Sequence, residues 1–209
     1  MLQIIYLTED ILNSVNYFQY QHIQLNIQLS QDNVVFISNK KFIKDKLLSS
    51  LYFHQIIELD SDIIGLKSFL ESMKNNSIEI FLRIDTNNRF ICAFLNKLLS
   101  QCPHLENIYI GCTNIFVLES LHYFNTNHKL GLITKNIVDE NILTYYIQKI
   151  NIKFISFHWT ALNPESIHFL KKNHVMVFGH TCKNNNIKSL MESYNIDAII
   201  CNSPEFWGA

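Results

Sequence analysis

The chain has 209 residues, a formal net charge of −1, and 17% charged against 48% hydrophobic side chains. That supports one sizeable core and too little for two ordinary domains, so residues 1–209 are read as a single domain. The balanced charge, with no basic stripe, lacks the electrostatic footprint of a nucleic-acid binder, and no apolar run approaches the roughly 18 residues that span a bilayer.

The stretch Met1–Asp10 has no basic segment ahead of its short apolar run, so it is expected to form a first strand and not a secretory signal. The five cysteines (Cys92, Cys102, Cys112, Cys182, Cys201) are odd in number and include no C-x-x-C pair. That argues against a zinc knuckle and a disulfide framework and makes a reducing cytoplasm the simplest setting.

Gln3–Leu7 is the first β-rich run. In Ile23–Leu29 apolar residues take every second position, the period of a strand. Asp32-Asn33 is a hairpin-type turn signal, and Val34–Ile37 follows as a continuation. Asn39–Lys46 is the most basic segment and is expected to be a solvated helix face. Asp62–Met73 reads as a helix, Ile78–Asp85 as a strand and Arg89–Leu99 as a helix. Ile108–Cys112, Lys129–Thr134, Phe154–Trp159, Val175–His180 and Ala198–Cys201 are further strands. Between them lie helices at Ile115–Phe124, Glu140–Ile150, a segment opening near Pro164, and Ile187–Tyr194. Pro164 is tolerated at a helix start because its missing N–H costs little there.

The strands thus begin near residues 3, 23, 78, 108, 129, 154, 175 and 198, and alternate with helices. This rhythm implies parallel strands joined by right-handed crossovers. Eight such units predict an α/β fold, a small (β/α)8 TIM barrel. An open doubly wound sheet is the alternative, but it favours a Gly-rich loop after the first strand, and Leu7-Thr8-Glu9-Asp10 contains no glycine.

In a barrel, function gathers where the strands end. This chain places Thr8, Asn26 or Gln28, Ser38, Asp85, Cys112, Lys135, His158, Trp159, His180, Thr181 and Asn202 there. Strand alternation puts Gln24 and Asn26 on one face, and Arg83 with Asp85. His158 and His180 are candidates for an acid/base pair; the competing reading is a pair of hydrogen-bonded rim residues, since neither has a carboxylate near it in sequence. Asp85 is the only acid in this set, whereas Mg²⁺ or Ca²⁺ needs several carboxylate oxygens. Cys112 and Cys201 are nucleophiles only with an activating partner; inert buried thiols are the ordinary reading.

Val177-Phe178-Gly179-His180-Thr181-Cys182, followed by Asn195-Ile196-Asp197-Ala198-Ile199-Ile200-Cys201-Asn202-Ser203-Pro204, resembles the closing W-T-V-N and G-V-D-x-I-I-T-D-x-P pattern of the glycerophosphodiester phosphodiesterase family. Its Asp, two Ile and Pro fall in register. Ile23–Ser38 is similar to that family's I-E-x-D-V-x-x-T-x-D-G-x-x-V-x-H-D, and Leu12–Phe18 to its E-N-T-x-x-x-F. The resemblance covers nearly the whole chain. It implies a barrel that hydrolyses glycerophosphodiesters to an alcohol and glycerol 3-phosphate, using Mg²⁺ or Ca²⁺ held by carboxylates, with two histidines for acid/base work.

On that resemblance the metal ligands correspond to Gln24, Asn26 and Arg83, and Asp85 stands where the family has a lysine. The two histidines correspond to Thr8 and to Ile37 or Ser38, the tryptophan to His180, and the closing aspartate to Asn202. Glu→Gln and Asp→Asn keep shape but remove charge, and Arg83 adds a positive charge where a cation would sit. Losing both histidines removes proton transfers each typically worth about 10²–10⁴-fold in rate. The expectation is a pseudoenzyme without a cofactor. It would bind a phosphate ester or a protein partner at the mouth through Gln24, Asn26, Arg83, Asp85, Lys135, His158 and His180. The alternative is an active phosphoric diester hydrolase with a rebuilt, metal-independent site, in which His158 and His180 act as acid and base and Arg83 stabilises charge. A third reading is an unrelated small barrel enzyme.

Overall fold

All eight expected barrel strands are present in the computed structural model, which describes residues 3–7, 21–74, 78–102, 108–124 and 127–201. The first is β1 (Gln3–Leu7) and the second β2 (His22–Leu29). The chain then folds back antiparallel as β3 (Val35–Ile37). Ser30 builds the turn between them: its hydroxyl donates to the Asp32 carboxylate at 2.6 Å and accepts the Val34 N–H at 2.9 Å. Asn33 takes a left-handed φ of 65°, which Asn tolerates better than most residues.

The basic segment departs from expectation. It is not a helix but a small antiparallel hairpin, β4 (Phe42–Ile43) with β5 (Lys46–Leu47). Lys44 and Asp45 both have positive φ, 48° and 61°. That is the conformation of a tight two-residue hairpin turn, which a right-handed helix cannot contain. Its lysines are exposed, as expected. Helix α1 (Phe53–Leu59) was not foreseen, because Ile56 is its only buried residue and leaves no periodic pattern to read. The helix expected from Asp62 starts later, as α2 (Leu66–Ser72). Ile64–Gly65 are extended and form β6, an antiparallel partner of β3.

From there the alternation follows the sequence reading. It runs β7 (Glu79–Ile84), α3 (Phe90–Ser100), β8 (Ile108–Cys112), α4 (Ile115–Tyr123), β9 (Lys129–Thr134) and α5 (Glu140–Tyr145). Residues Tyr146–Ile150 continue α5 as a π-helical turn, ended by Asn151 at φ 57°. Then come β10 (Phe154–His158), α6 (Pro164–Lys172), β11 (Met176–Cys182), α7 (Asn185–Ser193) and β12 (Ala198–Cys201). Pro164 does sit in the first turn of α6. Asn114, Asp139, Asn163 and Asn184 cap α4 to α7, each side chain accepting an N–H of the first turn. Replacing Asn163 by Ala, which removes the bond to Ser166 N–H at 2.8 Å, should lower stability by about 1 kcal/mol. A urea midpoint shifted down at unchanged slope is the expected reading.

Parallel pairings run from β2 through β7, β8, β9, β10, β11 and β12 to β1. β1 returns to β2 through Tyr6↔Ile23 and Leu7↔Gln24, so the eight strands close into a ring. Alternate residues face opposite sides of it. Outward residues such as Ile23, Leu25, Leu82, Ile110 and Val177 pack against the helices. Inward, Ile5, Phe81, Tyr109, Ile133, Phe154 and Phe178 fill the barrel. Phe154 and Phe178 stack with centroids 5.0 Å apart at 14°, and Phe81 lies 5.2 Å from Phe154. Gly131 makes room for this plug, since a Cβ there would stand 2.4 Å from the Phe154 ring. The interior is therefore a packed core below and a polar layer above.

Candidate functional site at the barrel mouth

Above the aromatic plug the inward positions turn polar. Asn26 is level with Arg83 across the β2–β7 pair, and His158 with His180 across the β10–β11 pair. Gln24 is buried, and its Nε2 donates to Asn26 Oδ1 at 3.3 Å. Asn26 Nδ2 in turn donates to Asn39 Oδ1 at 2.6 Å. A chain of amides thus climbs from the barrel interior to the loop leading into the β4–β5 hairpin. Arg83 Nη2 lies 3.6 Å from Asp85 Oδ2, and Lys41 Nζ lies 3.9 Å from the same oxygen. Thr113 Oγ1 donates to Asp85 Oδ1 at 2.8 Å. Burial acts to raise the Asp85 carboxyl, but the Thr113 hydrogen bond and the Arg83, Lys41 and Lys135 charges outweigh it and hold it below its ordinary range. Asn26, Arg83, Asp85 and Lys41 share a polar cleft of about 420 Å³, in which Asp85 is the only acid among the described lining residues.

The two histidines form the other half of the mouth, with ring centroids 5.8 Å apart and planes at 75°. His180 is 3% exposed. Its Nδ1 is hydrogen-bonded to Ser156 Oγ at 2.9 Å, and its Nε2 is buried with no partner among the described residues. Burial, then the charges of Arg83, His158 and Lys135, push the His180 pKa down to about 3. His158 is more open and hydrogen-bonds Thr160 Oγ1 through Nδ1 at 2.7 Å. Desolvation, then Lys135 and Lys183, lower its pKa as well. Both rings are therefore neutral at pH 7. A base of such low proton affinity as His180 is a weak proton acceptor at that pH.

The structure brings Gln24 to Asn26 and Arg83 to Asp85, and it sets His158 beside His180. Lys135 is exposed just past β9 and acts electrostatically on Asp85, His158 and His180. Gln28 Nε2 donates to the carbonyls of Ser38 and Lys40 at 3.0 and 2.7 Å, which ties β2 to the loop. Ser38 Oγ accepts the Lys40 N–H at 3.1 Å. Thr181 is half-buried, and Trp159 packs with the outer core. Cys112 and Cys201 are buried among outward-facing core residues. Burial raises the Cys112 thiol well above its ordinary pKa, the opposite of an activated nucleophile. Thr8, Asn202, Ser203, Pro204 and the segment Leu12–Phe18 lie outside the described residues.

Sequence reading missed Ser156, Thr113, Asn39 and Lys41. Ser156 stands two residues before His158, so the alternation that paired Gln24 with Asn26 would have found it. The other three reach the site only through tertiary contacts. Among the described residues, no three His, Cys, Asp or Glu side chains gather to hold a metal ion.

No protein-family model matches this chain, and no curated protein does. Solved structures do. An Oleispira antarctica phosphodiesterase in complex with the product sn-glycerol-3-phosphate superposes with a TM-score of 0.85 at 14% identity, covering 97% of this chain and 94% of that one. A Parabacteroides distasonis glycerophosphodiester phosphodiesterase gives 0.79 at 11% identity, over 97% and 94%. The glycerophosphodiester phosphodiesterase of Thermotoga maritima gives 0.74 at 14%, over 96% and 94%. The chain has the TIM-barrel fold of the glycerophosphodiester phosphodiesterases. At these identities the likeness is one of fold.

Proposed function

We propose that this barrel binds a phosphate ester at the strand C-terminal mouth and does not carry out metal-dependent diester hydrolysis. The observation behind this reading is Arg83. It projects into the polar layer beside Asn26, at a position where the family resemblance places a metal ligand. The other two such positions, Gln24 and Asn26, offer neutral amides that are engaged with each other and with Asn39. Two neutral amides and a guanidinium are a poor fit to Mg²⁺ or Ca²⁺, whose sites gather several oxygens with carboxylates among them and no cation. They do fit an anion: Arg binds phosphate oxygens in a bidentate fork, and the amides supply further donors. Lys41 and Lys135 add positive charge around the same opening.

A thermal-shift series with sn-glycerol 3-phosphate, glycerophosphocholine and inorganic phosphate tests this. A ligand at 100 times its Kd should stabilise the fold by about 2.7 kcal/mol, and Arg83→Met should remove the shift. If none of the three stabilises the protein, the anion reading fails and a protein partner is left as the occupant of the mouth. Glycerophosphocholine should release no glycerol 3-phosphate, with or without Mg²⁺ or Ca²⁺. Turnover that disappears in His158→Ala would instead establish a rebuilt hydrolase.

A further inference from the structure

The pairing of Ser156 with His180 sharpens what the mouth recognises. Ser156 lies on β10 and is completely buried, and among the described residues its hydroxyl meets only His180 Nδ1. Two arrangements of the protons are open to such a pair. If Nδ1 carries the hydrogen and donates to Ser156, the serine hydroxyl keeps an unused donor and Nε2 an unused lone pair, both buried. If Ser156 donates to Nδ1, the ring hydrogen sits on Nε2 and a single group is unmet. Buried polar groups without partners are disfavoured, so the second arrangement wins.

The two ring nitrogens face opposite sides of the imidazole. Nδ1 is held by Ser156, which lies two residues down β10 from His158, the residue level with His180, so Nε2 is left on the side of the ring away from that anchor. His180 is 3% exposed, and its Nε2 has no partner among the described residues. The groups that act electrostatically on this ring are Arg83 from β7, His158 from the neighbouring β10 and Lys135 from beyond β9. With Arg83 and Lys135 as the cations near this ring, a buried N–H there is satisfied only when an acceptor joins them.

We infer that Ser156 fixes His180 in the Nε2–H tautomer, and that this buried N–H donates to an oxygen of the anion bound at the floor of the mouth. The ligand half of the inference rests on the anion-binding reading given above; the tautomer half does not. Ser156 is then a positioning residue, and His180 a neutral donor that complements the charged Arg83. The ligand class is an oxyanion that offers acceptor oxygens to both at once, a phosphate or phosphomonoester.

Long-range ¹H–¹⁵N NMR on the whole chain reads which His180 nitrogen carries the proton, and calorimetric titration with inorganic phosphate and with sulfate reads the ligand half. The expected results are an Nε2–H tautomer in the wild type, a mixed tautomer in Ser156→Ala, and phosphate binding weakened about tenfold or more in His180→Phe. His180→Phe keeps the ring volume, and His180→Gln, which restores an N–H donor, should recover part of the loss. An Nδ1–H tautomer in the wild type overturns the inference, and so does phosphate affinity that survives intact in His180→Phe. If the wild type binds neither anion yet shows the Nε2–H tautomer, the anion reading has failed and the ligand half falls with it. Wild-type binding that is indifferent to His180 overturns this inference alone.

Discussion

Lowering the pH below 6.5 should destabilise this barrel progressively, and replacing His180 by Phe should remove the larger part of that loss. The sign follows from proton counting. The His180 pKa is about 3 in the fold, against an ordinary value of 6.5. Between those values the unfolded chain binds a proton that the folded chain does not, so stability falls as pH falls. The contribution is fully present above pH 6.5. It decreases by about 1.4 kcal/mol per pH unit below that, roughly 3 kcal/mol by pH 4.5 and about 5 kcal/mol by pH 3. His128 and His158 also have lowered values and share the window, so the slope will exceed that of His180 alone. The carboxylates act elsewhere. Asp32, Asp60 and Asp85 are held below their ordinary 3.8, so their support is present above that pH and is lost only on further acidification. Urea unfolding at several pH values between 4.5 and 7.5 separates the two. A His180→Phe variant with the same pH slope as the wild type would falsify the assignment.

Phe154→Ala should destabilise the fold by roughly 3–5 kcal/mol, the range for emptying a buried aromatic site. That is a large fraction of a typical total of about 5–15 kcal/mol. Phe154 is completely buried at the centre of the plug, stacked on Phe178 and in contact range of Phe81 and Tyr109. The opposite error should also be harmful. Gly131→Ala places a methyl 2.4 Å from the Phe154 ring, and overpacking of this kind typically costs about 1–3 kcal/mol. The two sites are in contact, so their effects should not add. Gly131→Ala combined with Phe154→Leu should be more stable than the sum of the single changes predicts. Additive losses in urea denaturation would show that the glycine is not there to admit the ring.

The ring was legible because its strands are long and their patterns unmixed. β2, β7 and β11 begin within a residue of where periodicity placed them. The insertion between β2 and β7 was not. Lys44-Asp45 is not a hairpin-turn pair of the Asn-Gly kind, and lysines spaced through a short stretch look the same on a helix as on a hairpin. α1 offers one buried residue, too few for any period. The site divided along the same line. Pairs within one strand, Gln24 with Asn26 and Arg83 with Asp85, follow from alternation alone. Ser156 with His180 requires the register of β10 against β11, and Lys41 with Asp85 requires the fold of the hairpin. Neither is written in a single segment.

The closing pair Leu7↔Gln24 ties the wall of the barrel to its mouth. β1 meets β2 through Tyr6↔Ile23 and Leu7↔Gln24, and β2 meets β7 through a run that includes Gln24↔Phe81 and Asn26↔Arg83. Gln24 belongs to that closing pair and also begins the amide chain that leads through Asn26 to the mouth. A ligand gripping that chain would act as a clasp on a strand that touches both of its ring neighbours, and so couple occupancy of the mouth to the integrity of the wall.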